Sequence, residues 1–232
     1  MQLSTQTYAE NLQAALLSMD FQPNFPGTLH SFSTHATRML DVAGTAVFAI
    51  SGALEAAKKR QNILTFFFFA VITGVGGGTI RDLFIGAPVA WLHNSTTALT
   101  CLLAALAVWF TPSRLWPERA VDWFDGVGIA AYGVFGTAKA TAYGIPPLPA
   151  LLMGVVSACL GGIFRDVLAG VPSIVIRREL YVTAVALASG LYVLLTQLGQ
   201  PPIITVSISI AAGFILRALA ITHGVGLPVY KR

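Results

Sequence analysis

The chain has 232 residues, of which 55% are hydrophobic and 10% charged, with a net charge of +4 and a mean hydropathy of +0.72. A soluble domain has about a quarter of its residues charged, so this little charge cannot cover a water-soluble globule, and the fold class is an all-α membrane protein. Most lysines and arginines stand in short connectors rather than in one patch, which excludes a nucleic-acid surface.

Residues 1–36 contain no lysine or arginine, so they are not a signal peptide. They are assigned as an extracytoplasmic extension, in which 8–19 have the pattern of a short interfacial helix. A helix needs ~20 apolar residues to cross the hydrocarbon core. Hydropathy predicts seven such segments, at 37–57, 63–91, 96–110, 122–143, 147–174, 179–197 and 202–220. The second and fifth are longer than a straight crossing and each holds a glycine cluster, so both are expected to be broken or kinked. Lys58, Lys59, Arg60, Arg114, Arg119, Arg177, Arg178, Lys231 and Arg232 all fall on one side of an alternating path. The positive-inside rule makes that side cytoplasmic and puts the N-terminus outside.

Aligning Asp41 with Asp125 gives an offset of 84 (125 − 41) that holds without a gap. Phe48 then falls on Tyr132, Gly52 on Gly136, and the pattern G-G-x-x-R-D-x-x-x-G-x-P occurs at residues 77–88 and again at 161–172. Three spans per copy is an odd number, so the second copy starts from the opposite face, which is an inverted repeat. The organisation is a first repeat at 37–110, a cytoplasmic linker at 111–121, a second repeat at 122–197, and a seventh helix with a cytoplasmic tail at 198–232.

Gly74, Gly76, Gly77 and Gly78 weaken one helix and Gly161 and Gly162 another. They serve either as a hinge that presents backbone to a permeating ion or as small residues for close packing. Arg81, Asp82, Arg165 and Asp166 are charges inside apolar segments; such groups face protein or water and take partners. Because adjacent helical residues do not face each other, each arginine is expected either to pair across the repeat interface or to bond freed backbone carbonyls, as a pore charge or as a structural ion pair that locks the two halves. Lys139 has no acid one turn away in its own helix, so it is a gate, a voltage-sensing charge, or a lysine reaching for the outer interface. Glu55 stands at the equivalent position and is expected to pair with Lys58 or Lys59. Asp41 and Asp125 are expected to cap helix N-termini. Cys101 and Cys159 read as small hydrophobes, and neither His93 nor His223 makes a metal site. No catalytic constellation or cofactor fingerprint is present, so no enzyme is expected.

The doubled motif, Gly77-Gly78-Thr-Ile-Arg81-Asp82 and Gly161-Gly162-Ile-Phe-Arg165-Asp166, resembles the prokaryotic branch of the trimeric intracellular cation (TRIC) channel family from about Asp41 onward. The resemblance implies a homotrimer in a bacterial or archaeal cell membrane, one pore per protomer for monovalent cations (K⁺, with Na⁺), and pore-lining glycine-kinked second and fifth helices. It implies no cofactor. Lys139 matches the lysine gate of animal members, but Tyr143 stands where they carry a second basic residue, which puts phosphoinositide regulation and animal-type voltage gating in doubt. The same bacterial sequences are also grouped as glycine transporters, so alternating-access transport of a small amino acid is the alternative function.

Overall fold

The computed structural model describes residues 29–93, 95–176 and 179–228, apart from the side chains of 29–38 and Leu40. The interfacial helix expected at 8–19, and Arg177, Arg178, Lys231 and Arg232, lie outside the described residues. Helices α1 (Leu29–Lys58), α2 (Ile63–Phe84) and α3 (Ser95–Phe110) are followed by α4 (Ala120–Ala142), α5 (Pro147–Ala169), α6 (Val182–Gln197) and α7 (Pro202–His223). A single helical turn, Ala90–His93, and two 3₁₀ turns, Ser113–Leu115 and Ile174–Ile176, sit in the connectors. Among the described residues there is no strand, only an isolated bridge between Glu179 and Gly226.

Local chemistry sets the helix ends. The Asn62 side chain accepts from the Thr65 N–H at 3.0 Å and starts α2. Pro147 and Pro202 occupy first positions, where their fixed φ suits a helix and no amide is missed. The length of 63–91 and 147–174 has a simple cause. Helix α2 ends at Phe84 and α5 at Ala169; Gly86 (φ 68°) and Gly170 (φ 65°) then turn the chain left-handed, and new turns begin at Ala90 and Ile174. Both long helices run unbroken through their glycine clusters, so the extra length belongs to the G-x-P turn and not to a mid-helix break.

Helix α1 packs on α2 and α3, α4 packs on α5 and α6, and α2 and α5 touch α3 and α6 respectively. The two triplets meet through α1 against α4 and α2 against α5, while α7 lies on α4 and α6. The two main contacts between triplets therefore each join a helix to its own counterpart, as a pseudo-two-fold axis requires, with a smaller contact of α1 on α5. The α2–α5 crossing is reciprocal: a Cβ on Gly77 would lie 2.0 Å from the Ser157 carbonyl oxygen, and one on Gly161 would lie 2.5 Å from that of Thr73. Thr73 and Ser157 are themselves 84 residues apart (157 − 73). Gly44 and Gly128 likewise make room for Tyr132 and Phe48, again exchanged by the repeat.

The bundle interior is largely apolar but encloses charged groups, and its outer surface is apolar. Its largest fully buried side chains are Arg81, Arg165 and Arg217, whereas Leu64, Phe84, Leu103, Phe110, Leu152 and Ile203 are all more than half exposed. Helices α2, α5 and α7 are each long and apolar enough to cross a membrane, and α3 and α6 are apolar but shorter, at 16 residues. Close approach at the crossing leads to a specific expectation. Gly77→Ala drives a methyl into backbone and lowers stability by about 1–3 kcal/mol. Gly78→Ala, whose Cβ would meet nothing nearer than 3.6 Å, leaves stability unchanged or raises it by up to ~1 kcal/mol through helix propensity. Unfolding midpoints of the purified variants in detergent check this, and equal effects at the two positions would contradict the crossing geometry.

Candidate functional site

The motif arginines sit in the last turns of α2 and α5 and do not pair with each other's aspartates. Arg81 places Nε 2.9 Å and Nη2 2.8 Å from Oδ1 of adjacent Asp82. Arg165 does the same to Asp166, at 2.9 and 2.8 Å. The expectation of cross-repeat arginine–aspartate pairs is thus corrected. A long guanidinium arm can curl back to a neighbour that a shorter side chain could not reach, and the forked donor then takes one oxygen twice. The second oxygen of each aspartate has its own donor eight residues on, the Ala90 N–H at 3.4 Å and the Ile174 N–H at 2.7 Å. One carboxylate therefore holds the arginine and caps the turn that Gly86 or Gly170 makes possible, which accounts for R-D-x-x-x-G-x-P as a unit. The arginines' own contacts across the repeat interface are with neutral groups: Arg81 reaches Ser157 Oγ at 3.5 Å and the Phe135 ring at 4.7 Å, and Arg165 donates to Ser51. Ser51 and Phe135 are again equivalent positions (135 − 51 = 84).

Beyond this shared frame the two clusters differ. Around Arg165, Asp125 Oδ1 lies at 2.6 Å from Nη1, so two carboxylates share one guanidinium. Tyr181 covers this cluster, its phenol lying over Gly162. Around Arg81 the extra charge is a cation. Lys139 Nζ lies 2.8 Å from Asp82 Oδ1, so the lysine that has no acid in its own helix finds one across the repeat interface. Asp41 accepts from the Tyr132 hydroxyl at 3.1 Å, and that hydroxyl also meets Thr45 Oγ1 at 2.7 Å. A cleft of about 20 Å³ opens here, lined in part by Asp41, Thr45, Gly78, Arg81, Asp82 and Tyr132. That is room for about one water.

Asp41 and Asp125 do not cap helices. Helix α1 begins at Leu29 and α4 at Ala120, which places both acids inside their helices with their carboxylates turned to the buried clusters. Glu55 does pair with Lys58, at 3.9 Å. Among the motif glycines, Gly77 and Gly161 form the closest approach, Gly76 faces the Phe164 ring and Gly74 lies against Cys101 and Thr45, whereas Gly78 and Gly162 lie beside the two arginine clusters. Sequence reading passed over one more buried charge. Arg217 of α7 is fully buried, bonds Glu179 Oε2 at 2.9 Å and stacks 5.3 Å from the Tyr181 ring. A lone arginine in an apolar helix was the available signal. Arg119 joins the same glutamate at 3.1 Å. Among the described residues no three metal-binding side chains converge.

A family model described as Glycine transporter matches residues 38–113 and again 122–197, two stretches 84 residues apart (122 − 38) that cover more than half of the chain. A solved structure of the TRIC trimeric intracellular cation channel orthologue from Rhodobacter sphaeroides is 37% identical. The match spans 82% of this chain and 99% of that one, with a TM-score of 0.76. The chain belongs to the Glycine transporter family of prokaryotic TRIC proteins. In the same family, the UPF0126 inner membrane protein YadS of Escherichia coli K12 is 35% identical over 82% of this chain and 94% of its own length. A further solved member, described as the structural basis for conductance through TRIC cation channels, is 28% identical over 84% and 97% with a TM-score of 0.73. The match to an inner-membrane relative and the apolar helices make this chain a multi-pass membrane protein, and its solved relatives are channels rather than enzymes.

The clusters predict unequal sensitivity. Asp125→Asn removes a carboxylate from a fully buried pair and costs about 3 kcal/mol. Lys139→Gln removes a less buried cation and leaves Asp82 its arginine, so it costs less than Asp125→Asn. Thermal unfolding in detergent ranks the two, and a larger loss for the lysine variant would contradict this assignment of partners.

Proposed function

We propose that the protein is a homotrimeric, K⁺-permeable cation channel of the bacterial or archaeal cell membrane, with one pore in each protomer. The supporting observation is a file of buried polar groups through an otherwise apolar bundle. It runs from Asp41, Lys139, Asp82 and Arg81 past Ser157 and Thr73 to Ser51, Arg165, Asp125 and Asp166 along the α2–α5 crossing. Ionisable and hydroxyl groups are costly inside a bilayer and mark pathways for ions. The Arg165 cluster carries one carboxylate more than it has cations, which favours a permeating cation over an anion. K⁺ and the trimer rest on the resemblance and on the channel relatives.

In this reading seven helices cross the membrane as two inverted triplets, 37–110 and 122–197, joined by the linker 111–121, and α7 completes each protomer. Lys58, Lys59, Arg60, Arg114 and Arg119 make their end of the bundle cytoplasmic, which leaves residues 1–36 outside and the tail inside. Lys139 is the gate: its ammonium is held on Asp82, a residue that lines the single-water cleft, and so opposes a passing cation. The glycines of α2 and α5 lower the cost of bending those helices when the crossing opens, and no cofactor or phosphoinositide is required. The alternative, glycine carriage by alternating access, shares the repeat architecture and the family description. The cleft suits a single small ion better than an amino acid.

Recording from purified protein in planar bilayers tests the proposal. Discrete unitary K⁺ currents are expected, with a severalfold higher open probability for Lys139→Gln, and no saturable uptake of labelled glycine into proteoliposomes. Glycine uptake without any unitary conductance would replace the channel with a carrier.

A further inference from the structure

A sizeable cavity lies away from both arginine clusters, at the end of the bundle where α1 and α3 finish and α2 and α4 begin. It measures about 690 Å³ and is walled by Leu54, Phe66 and Val108, all buried, with Trp109 and Trp116 beside them. Lys58 and Arg60 stand on its rim, and Glu118 is the one acid among the lining residues. Two further observations single it out. The Trp116 indole N–H is buried and, among the described residues, has no hydrogen-bond partner, which is unusual for a buried donor. Arg60 holds φ at 53°, the left-handed region that costs any residue with a Cβ. At the equivalent position of the second repeat (60 + 84 = 144) the chain uses Gly144, at φ 77°. The same turn is thus built with the favourable residue in one repeat and an arginine in the other, and that arginine faces the cavity.

We propose that this cavity binds one anionic glycerophospholipid of the cytoplasmic leaflet. The headgroup phosphate lies between Lys58 and Arg60, the Trp116 N–H donates to the lipid's glycerol ester region, and an acyl chain fills the apolar floor. Charge complementarity decides the occupant: a basic pocket between membrane helices on the cytoplasmic side matches a phosphate on an apolar tail, and tryptophans are at home at that depth. The assignment rests on the membrane orientation given above and not on what the protein transports, so it survives if glycine replaces K⁺.

The test uses the full chain, purified and delipidated in detergent, with phosphatidylglycerol and phosphatidylcholine of matched chains as probes. Native mass spectrometry reads bound lipid and thermal unfolding reads stabilisation. Phosphatidylglycerol is expected to bind at least about tenfold more tightly than phosphatidylcholine, and the double variant Lys58→Gln/Arg60→Gly to lose roughly thirtyfold of that affinity, about fivefold per basic residue. Arg60→Gly keeps the turn, as Gly144 does, so its unfolding midpoint without lipid is expected to equal or exceed that of the parent. Ala57→Phe, which fills the cavity, is expected to lose lipid while both basic residues remain; if it fails to fold, the double variant decides. Equal binding of the two lipids, undiminished binding by the double variant, or the same stabilisation from inorganic phosphate alone would each overturn the proposal.

Discussion

The interaction on which the structure depends is the one between an arginine and the aspartate that follows it. In lipid there is no water to satisfy a helix end or a buried charge, and a single carboxylate here answers both needs. Asp82 and Asp166 each take two donors from the preceding arginine on one oxygen and a backbone N–H from the next turn on the other. Removing such a carboxylate would orphan a guanidinium and an amide together, and breaking a buried pair costs about 3–5 kcal/mol. The arginine, fixed in this way, reaches across to the other repeat, so local closure of the chain and docking of the two halves depend on the same side chain.

The halves then differ only where the symmetry is broken. At one end Lys139 adds a cation to Asp82; its counterpart Glu55 could only repel Asp166 and turns instead to Lys58. At the other end Asp125 adds a second carboxylate to Arg165, while Asp41 is bonded by Tyr132. The shared frame makes the fold, and these few exchanges make one cluster open to a cleft and the other closed. A fold built by duplication can diverge in this manner without disturbing its crossing, because the closest contacts at Gly77 and Gly161 are with backbone atoms.

Much of this was legible beforehand. The starts of α2 to α7 lie close to those read from hydropathy because lipid imposes apolar length directly, whereas α2 and α5 stop short of theirs at the G-x-P turn. The 84-residue offset was visible because glycine, proline and paired charges are rare in such helices. Charge partners were not legible. Lys139 and Asp82 are 57 residues apart and Tyr132 and Asp41 are 91 apart, and helical spacing says nothing about partners on other helices. The rule that adjacent helical residues do not face each other misled for Arg81 and Arg165, because it concerns the Cβ directions and not the reach of a guanidinium. Asp41 and Asp125 were read as caps because hydropathy starts a helix at its first apolar run, whereas α1 and α4 begin earlier, in polar sequence.

The seventh helix, which has no counterpart, is explained by the closed cluster. Arg217 is buried in α7 and bonded to Glu179; Arg119, at the start of α4, holds the same glutamate and donates to the Ile221 carbonyl. Glu179 also bridges to Gly226 beyond α7. Two residues further along the segment between α5 and α6 stands Tyr181, under the Arg217 guanidinium and over Gly162, so that it seals Arg165 and Asp125 from this side. Among the described residues no further helix performs this service for Arg81 and Asp82, where Thr97 takes the place equivalent to Tyr181 and lines the cleft. An unpaired helix added to a symmetric pair of triplets therefore does more than fill space: it decides which of two otherwise equivalent clusters is closed.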